Sequence, residues 1–346
     1  MGTEYDIIII GAGWYGCHIA SLIQNDFNVL IIDKSSDIFK GSSYYNQNRL
    51  HLGYHYSRDF KTRNLCQRNY DEFKRKYNNC IEDVKDNFYC VSKESLLCQM
   101  TYLSIFKNEN FDINLRENNL FQNIEGDLID VNEKVINSKK AKEIFKERLN
   151  NCTFLFDTEI KSINHENDVV NINDLYSCKL LLDCTYNQLG IDKRKYTYEL
   201  TISLLYRKLK KFGAITIVDG NFCSLYPRED KIYTLTDVEN TPVFCSSSFD
   251  DIKNLNVSDS LVLDRREKME NKITKYFPDF KDFFSYDGYF LSYKTKMISS
   301  SDSRDISIFK SCDRIVSVNC GKIYGIFEWE VYILNHIKNL KDKFLL

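Results

Sequence analysis

Three glycines near the start of the chain stand at a spacing that can bind phosphate: Gly11-Ala12-Gly13-Trp14-Tyr15-Gly16. Between a strand and a helix, such a turn offers bare backbone N–H groups and the positive end of a helix dipole to an anion. Gly11 permits the tight turn. Gly13 lets a pyrophosphate approach the backbone without meeting a Cβ, and Gly16 lets the helix pack close to the strand. Asp33 follows 22 residues after Gly11, where a carboxylate accepts hydrogen bonds from a ribose hydroxyl. The chemistry is dinucleotide binding. The turn alone does not separate NAD from FAD, because both present adenosine diphosphate.

The flanking elements fit. Residues 5–10 form a short apolar run rich in β-branched residues, suited to a central strand buried on both faces. Helical spacing follows, with Cys17, Ala20 and Ile23 on one side, and residues 28–33 read as a second strand. Together they predict a βαβ unit of about thirty residues.

A second cluster of chemically capable side chains lies at 41–56, Gly-Ser-Ser-Tyr-Tyr-Asn-Gln-Asn-Arg-Leu-His-Leu-Gly-Tyr-His-Tyr. The hydroxyls of Ser42 and Ser43 can bond a diphosphate and a ribityl chain, and Arg49 can neutralise phosphate. His51 and His55 titrate near neutrality and are candidate proton acceptors.

On these residues the chain resembles the D-amino-acid-oxidase-like superfamily of FAD-dependent oxidoreductases, which includes glycerol-3-phosphate dehydrogenase, L-2-hydroxyglutarate dehydrogenase and glycine oxidase. Its members follow the second strand's acid with a Gly-x-Ser turn, an Asn or Arg, and an Ile/Leu-His-x-Gly segment. Gly41, Ser42, Ser43, Asn48, Arg49, His51 and Gly53 match. The resemblance implies FAD. It implies a cofactor set of Gly11, Gly13, Trp14, Tyr15, Gly16, Asp33, Lys34, Ser42, Ser43, Asn48, Arg49, Leu50, His51 and Thr185. A late strand–Gly–Lys–helix at Gly321, Lys322 and Ile323 would approach the flavin end, and Cys320 and His51 are the residues to inspect for a covalent link. The superfamily often grips a substrate anion with a basic residue on a late strand. Lys294, Lys296 and Arg304 fall there, with Lys296 and Arg304 joining His51 and His55 as catalytic candidates; Tyr226 and Arg228 are weaker ones. Proteins similar to the Asn46–Tyr56 core look like surface-polysaccharide pathway proteins, so a sugar or nucleotide-sugar substrate is a possible expectation.

The implied architecture is α/β, with a Rossmann-like FAD-binding domain (1–85, 130–190 and 311–346) interleaved with a β-rich α+β substrate domain (86–129 and 191–310), and a ligand cleft between them. Periodicity predicts a helix from Asp59 to Tyr77 and a strand over 87–91. The chain returns through an acidic segment to a helix over 136–150, capped by Ser138. A strand meander is predicted near 153–156, 159–164 and 168–172. Further strands are expected at 214–218, 222–226, 232–236 and 288–298, and a helix over 260–277 that stops before Pro278.

Composition narrows the classes. In 346 residues, 47 Lys plus Arg oppose 49 Asp plus Glu, for a net charge of −2, which argues against a nucleic-acid partner. No run approaches the ~18 apolar residues of a membrane span. The 12 cysteines form no CxxC pair and no Cys/His cluster with zinc spacing. No metal is expected, and a cytoplasmic protein with reduced thiols is, since no basic-then-apolar signal segment opens the chain. Three functions remain open: hydride transfer from a CH–OH or CH–NH group of a small polar or anionic substrate, a non-redox flavin-dependent sugar mutase, and a flavin-binding protein without turnover. No second strand–GxGxxG–helix unit suggests a separate NAD(P)H domain. The oligomeric state is not legible.

Overall fold

The computed structural model describes residues 3–166, 168–298 and 306–342. The chain divides into two compact units, Met1–Tyr44 with Ser138–Thr197 and Lys294–Leu346, and Tyr45–Asn137 with Tyr198–Tyr293. The division expected from the sequence puts 45–85 and 130–137 with the cofactor-binding part, and 191–197 with 294–310 in the other. The compact units draw these lines elsewhere, because Arg49–Leu50, Lys134–Ile136 and Ile81–Asp83 form one small antiparallel sheet.

The first unit is built on Thr3–Ile10. Its last four residues, all isoleucine, are at most 3% exposed. Polar side chains could not survive there, which is why the run reads as continuously apolar. Parallel strands flank it on both sides, Tyr176–Asp183 and Val29–Ile32, and Ile315–Asn319 and Thr153–Leu155 extend the sheet in parallel. Thr153–Leu155 thus belongs to the parallel sheet and not to a meander. The antiparallel pair that follows is Ile163–Glu166 with Val169–Ile172, so the strand expected at 159–164 begins later. Helix Trp14–Ile23 packs against the late helix Gly325–Asp342, where His18 Nε2 and Glu330 Oε2 lie 2.9 Å apart. The helix near 138 spans Ser138–Arg148, but the Ser138 hydroxyl is buried without a hydrogen-bond partner and caps nothing.

The second unit carries a nine-stranded sheet. At its centre Asn87–Val91 runs parallel to Ala214–Val218, and antiparallel hairpins continue through Cys223–Glu229 and Ile232–Asp237. Helix Phe60–Tyr77 starts where the Asp59 carboxylate accepts the Thr62 N–H at 3.0 Å. Helix Asp259–Tyr276 ends ahead of Pro278, with Ser258 as its N-cap. Below the sheet an aromatic cluster gathers Phe121, Tyr206, Phe277, Phe280 and Phe284. Among the described residues no helix is long and apolar enough to cross a membrane.

Phe277 is fully buried and stacks on Phe212 with ring centroids 5.1 Å apart. Phe277→Ala is expected to destabilise this unit by about 3–5 kcal/mol through lost burial and the cavity left behind. Urea unfolding measures it; a change under about 1 kcal/mol would mean that the cluster closes over the gap.

Candidate functional site

In the first unit the glycine turn has the conformation its spacing predicts. Gly11 sits at φ +102°, and a Cβ there would lie 2.6 Å from the Cys184 carbonyl oxygen. A Cβ on Gly16 would run into the Gly11 carbonyl. At Gly13 the close neighbour is the Ser43 hydroxyl, which accepts the Trp14 N–H at 2.9 Å. Ser43 therefore stands at the helix N-terminus itself. The first turn of that helix carries no acidic side chain, and Gly13 provides no side-chain cap. The Asp33 carboxylate accepts the Ala12 N–H at 2.7 Å through one oxygen and the Ser35 N–H at 2.8 Å through the other. A carboxylate has about four acceptor sites, so capacity remains for a hydroxyl donor. A helix start without an acidic side chain, bare glycine backbone and an acid at the end of the second strand fit the adenosine diphosphate of a dinucleotide.

The rest of the predicted set in this unit collects beside that turn. The Tyr15 hydroxyl donates to the Lys322 carbonyl at 2.6 Å. Burial first, then the neighbouring Cys320, pushes the Tyr15 phenol well above its ordinary range, so it stays protonated as that donor. The turn at 184–187 bends without glycine, since Tyr186 and Asn187 themselves adopt φ of +65° and +56°. Thr185 donates its hydroxyl to Asp183 at 2.6 Å, and burial holds the Asp183 carboxyl above its usual range. Lys34 donates to Gln188 at 2.9 Å. The late helix begins at Gly325, not at Gly321. A Cβ on Gly325 would strike the Tyr15 hydroxyl and the Cys320 sulfur. Sequence reasoning passes over this glycine, although its position just ahead of an amphipathic helix is a usable signal.

The side chain of Trp14 is core, edge-on to Phe39 and Phe145 at 5.1 and 5.3 Å. Lys294 and Lys296 are exposed on strand Phe284–Met297. Arg304 lies outside the described residues.

In the second unit the strongest feature is a residue that sequence reasoning does not single out. Glu133 is completely buried. Arg49 pairs with Val135 and Leu50 with Lys134 in an antiparallel register, which sets the next pair, His51 and Glu133, opposite each other. Glu133 Oε1 accepts the Leu52 N–H at 2.8 Å and lies 3.5 Å from His51 Nδ1. Its Oε2 accepts the Tyr89 hydroxyl at 2.8 Å and lies 3.7 Å from Arg49 Nη1. Arg49 donates from Nη1 to Tyr89 at 2.8 Å and to Thr216 at 2.7 Å, and from Nη2 to Ser224. Its guanidinium lies 3.8 Å from the centre of the Tyr226 ring. The expected phosphate contact of Arg49 is thus replaced by an internal one, because its donors are directed into the core of this unit. Tyr226 and Arg228 are likewise engaged: the Tyr226 ring underlies Arg49, and Arg228 donates to the Asn46 carbonyl at 3.0 Å. Asn48 turns the chain at φ +55°, and Leu50 is fully buried. His51 and His55 come together with ring centroids 5.4 Å apart, and Phe222 meets His55 edge-on at 4.2 Å.

Burial alone would push the Glu133 carboxyl up. His51, Arg49 and the Tyr89 hydroxyl outweigh it and hold the group below the ordinary carboxylate range. Burial also opposes the Arg49 charge, and Tyr89, Tyr226 and Glu133 more than compensate. The result is a fixed negative charge behind an imidazole whose side chain is 17% exposed, an arrangement able to take up a proton.

No protein-family model matches the chain. A protein of Fusarium mangiferae named FAD-dependent monooxygenase FPY4 is 32% identical over 332 residues, covering 94% of this chain and 89% of the relative. Among solved structures, glycine oxidase from Geobacillus kaustophilus superposes with a TM-score of 0.72 at 12% identity, covering 95% of this chain and 92% of that one. The FAD-bound L-α-glycerophosphate oxidase from Mycoplasma pneumoniae gives the same TM-score and identity, over 96% and 95%. At such identities these two likenesses speak for the fold.

Glu133→Gln leaves Arg49 buried without its counter-ion and is expected to cost about 3–5 kcal/mol at neutral pH. The folded-state pKa of Glu133 is depressed below 4.5. Its contribution is therefore present above the unfolded-state value and fades as pH falls through the folded one. Denaturant titrations from neutrality to about pH 3 should show the gap between native and variant closing on the acid side; a constant gap would contradict the assignment.

Proposed function

This chain belongs to the D-amino-acid-oxidase-like superfamily of FAD-dependent oxidoreductases, and we propose that it oxidises a CH–OH or CH–NH group of a small polar substrate with His51 as proton acceptor. Its cofactor is FAD. When bound, FAD supplies the two-electron oxidant that takes a hydride from the substrate carbon. Everything else is work for the chain. The turn Gly11–Gly16 with Asp33 would hold the adenosine diphosphate, and Ser42, Ser43 and Lys34 would add polar contacts to it. Backbone at Thr185, Gly321, Lys322 and Ile323 of the same unit would add to it, and Asn48 and Leu50 are the second unit's proposed cofactor contacts.

One observation carries the catalytic part: a partly exposed imidazole stands against a fully buried, ionised carboxylate. Neutral His51 can accept the hydroxyl or ammonium proton as the C–H bond breaks, and the charge of Glu133 stabilises the imidazolium that results. His55 neighbours it in the same aromatic patch. Sugars or nucleotide sugars are the first compounds to try. The cysteines are all free thiols, which suits a reducing, cytoplasmic setting.

A second reading follows the Fusarium relative, whose name is that of a monooxygenase. Oxygen from labelled O2 appearing in the product would favour it; label confined to peroxide or water would favour simple oxidation.

The protein should purify yellow, and an anaerobic titration with alcohols, amines and sugars should bleach its visible absorption with the right substrate. His51→Gln should slow that bleaching by about 10²–10⁴-fold while leaving FAD bound. A substrate that bleaches both forms equally fast would remove His51 from the proposed role.

A further inference from the structure

We propose that Glu133 is the positioning residue that decides which nitrogen of His51 carries the proton, placing it on Nδ1 and leaving Nε2 as the basic atom. The inference deepens the proton-acceptor role given to His51 above and rests on that reading for its catalytic consequence.

The geometry is specific. Nδ1 of His51, not Nε2, is the nitrogen placed 3.5 Å from Glu133 Oε1. An ionised carboxylate only accepts hydrogen bonds, so the nitrogen facing it is favoured as N–H. In the neutral ring the remaining nitrogen then holds the lone pair. The opposite tautomer would turn the Nδ1 lone pair toward Glu133, against a negative charge in a low-dielectric interior.

The carboxylate is itself held at several points. Oε1 accepts the Leu52 N–H at 2.8 Å and the Gly53 N–H at 3.4 Å, from the two residues that follow His51. Glu133 thereby fixes the backbone of the histidine segment as well as its ring. On the other side a directed chain runs from Arg49 through the Tyr89 hydroxyl to Oε2. His51 itself, then Arg49 and the Tyr89 hydroxyl, keep the carboxylate ionised, and Tyr89 leaves Oε1 to face the histidine. Two further titratable rings, His55 and Tyr56, lie against it at centroid distances of 5.4 and 5.6 Å. Neither is an anion at neutral pH, whereas Glu133 is, so the charge that biases the ring comes from the Nδ1 side.

The test begins with the native protein. The chain has 5 histidines, few enough for a long-range proton–nitrogen correlation spectrum of ¹⁵N-histidine-labelled protein, with His51 assigned by its disappearance in His51→Gln. Above its titration the native His51 should show the Nδ1–H tautomer, and Glu133→Gln should lose it or give a mixture. Glu133→Asp, which keeps the charge, should retain it if it folds. In turnover, Glu133→Gln should lower kcat by about tenfold or more with KM little changed. The double variant His51→Gln/Glu133→Gln should be no slower than His51→Gln alone, because Glu133 acts through His51. An Nε2–H tautomer in the native protein, or an Nδ1–H signal unchanged in Glu133→Gln, overturns the proposal. The spectrum reads the pairing independently of turnover, so full activity in His51→Gln would retire the proton-acceptor reading without touching this result.

Discussion

The second unit depends on one buried ion pair. Placing a carboxylate and a guanidinium out of water is strongly unfavourable unless every lone pair and N–H is met and the charges face each other. Glu133 and Arg49 meet much of that requirement with Tyr89, Thr216, Ser224 and two backbone amides. Those partners come from separate stretches of sequence. The pair therefore selects one arrangement of the segments around it, and the histidine segment is among them. A purely apolar core of equal volume would hold the strands together without specifying where the imidazole lies.

The first unit works by another principle. The glycine turn proposed to hold the nucleotide presents backbone N–H groups, with the Asp33 carboxylate beside them. Gly11 and Gly16 remove the Cβ atoms that would collide with the Cys184 and Gly11 carbonyls, and the helix start is left without an acidic residue. Anion affinity there arises from oriented amides and a dipole, which need no desolvation of a side-chain ion. Ser43 and Tyr15 add neutral hydroxyls. The proposed function gives this contrast a reason: a phosphate would bring its own negative charge to the turn, whereas a proton acceptor at His51 would need a resident one.

The fold is shared with oxidases at 12% identity. So low a figure is understandable if the common architecture requires only a parallel sheet with a glycine turn and a β-rich companion, with many apolar residues satisfying either. The residues that give this chain its own chemistry are then expected among polar groups that a generic core would not retain, and Glu133, Arg49, Tyr89 and His51 are of that kind.

Local chemistry determined a good deal. The βαβ unit was legible because a run of isoleucines, three spaced glycines and a terminal acid act within some thirty residues. Helix Phe60–Tyr77 was legible because its apolar stripe has helical period. Strand Asn87–Val91 was equally plain. What tertiary structure alone decided is where charges go. Arg49 looked like a phosphate ligand because guanidinium and phosphate match, but its partner is a carboxylate 84 residues further along the chain. Glu133 was one acid in an acidic segment, and Gly325 one glycine past the pair that drew notice. Each acquires its meaning from a contact between distant segments: a two-residue strand register for Glu133, the Tyr15 hydroxyl for Gly325. Periodicity and capping act over a few residues and are written locally; the partner of a buried charge is chosen by the packed fold, where the dielectric is low enough for that choice to matter.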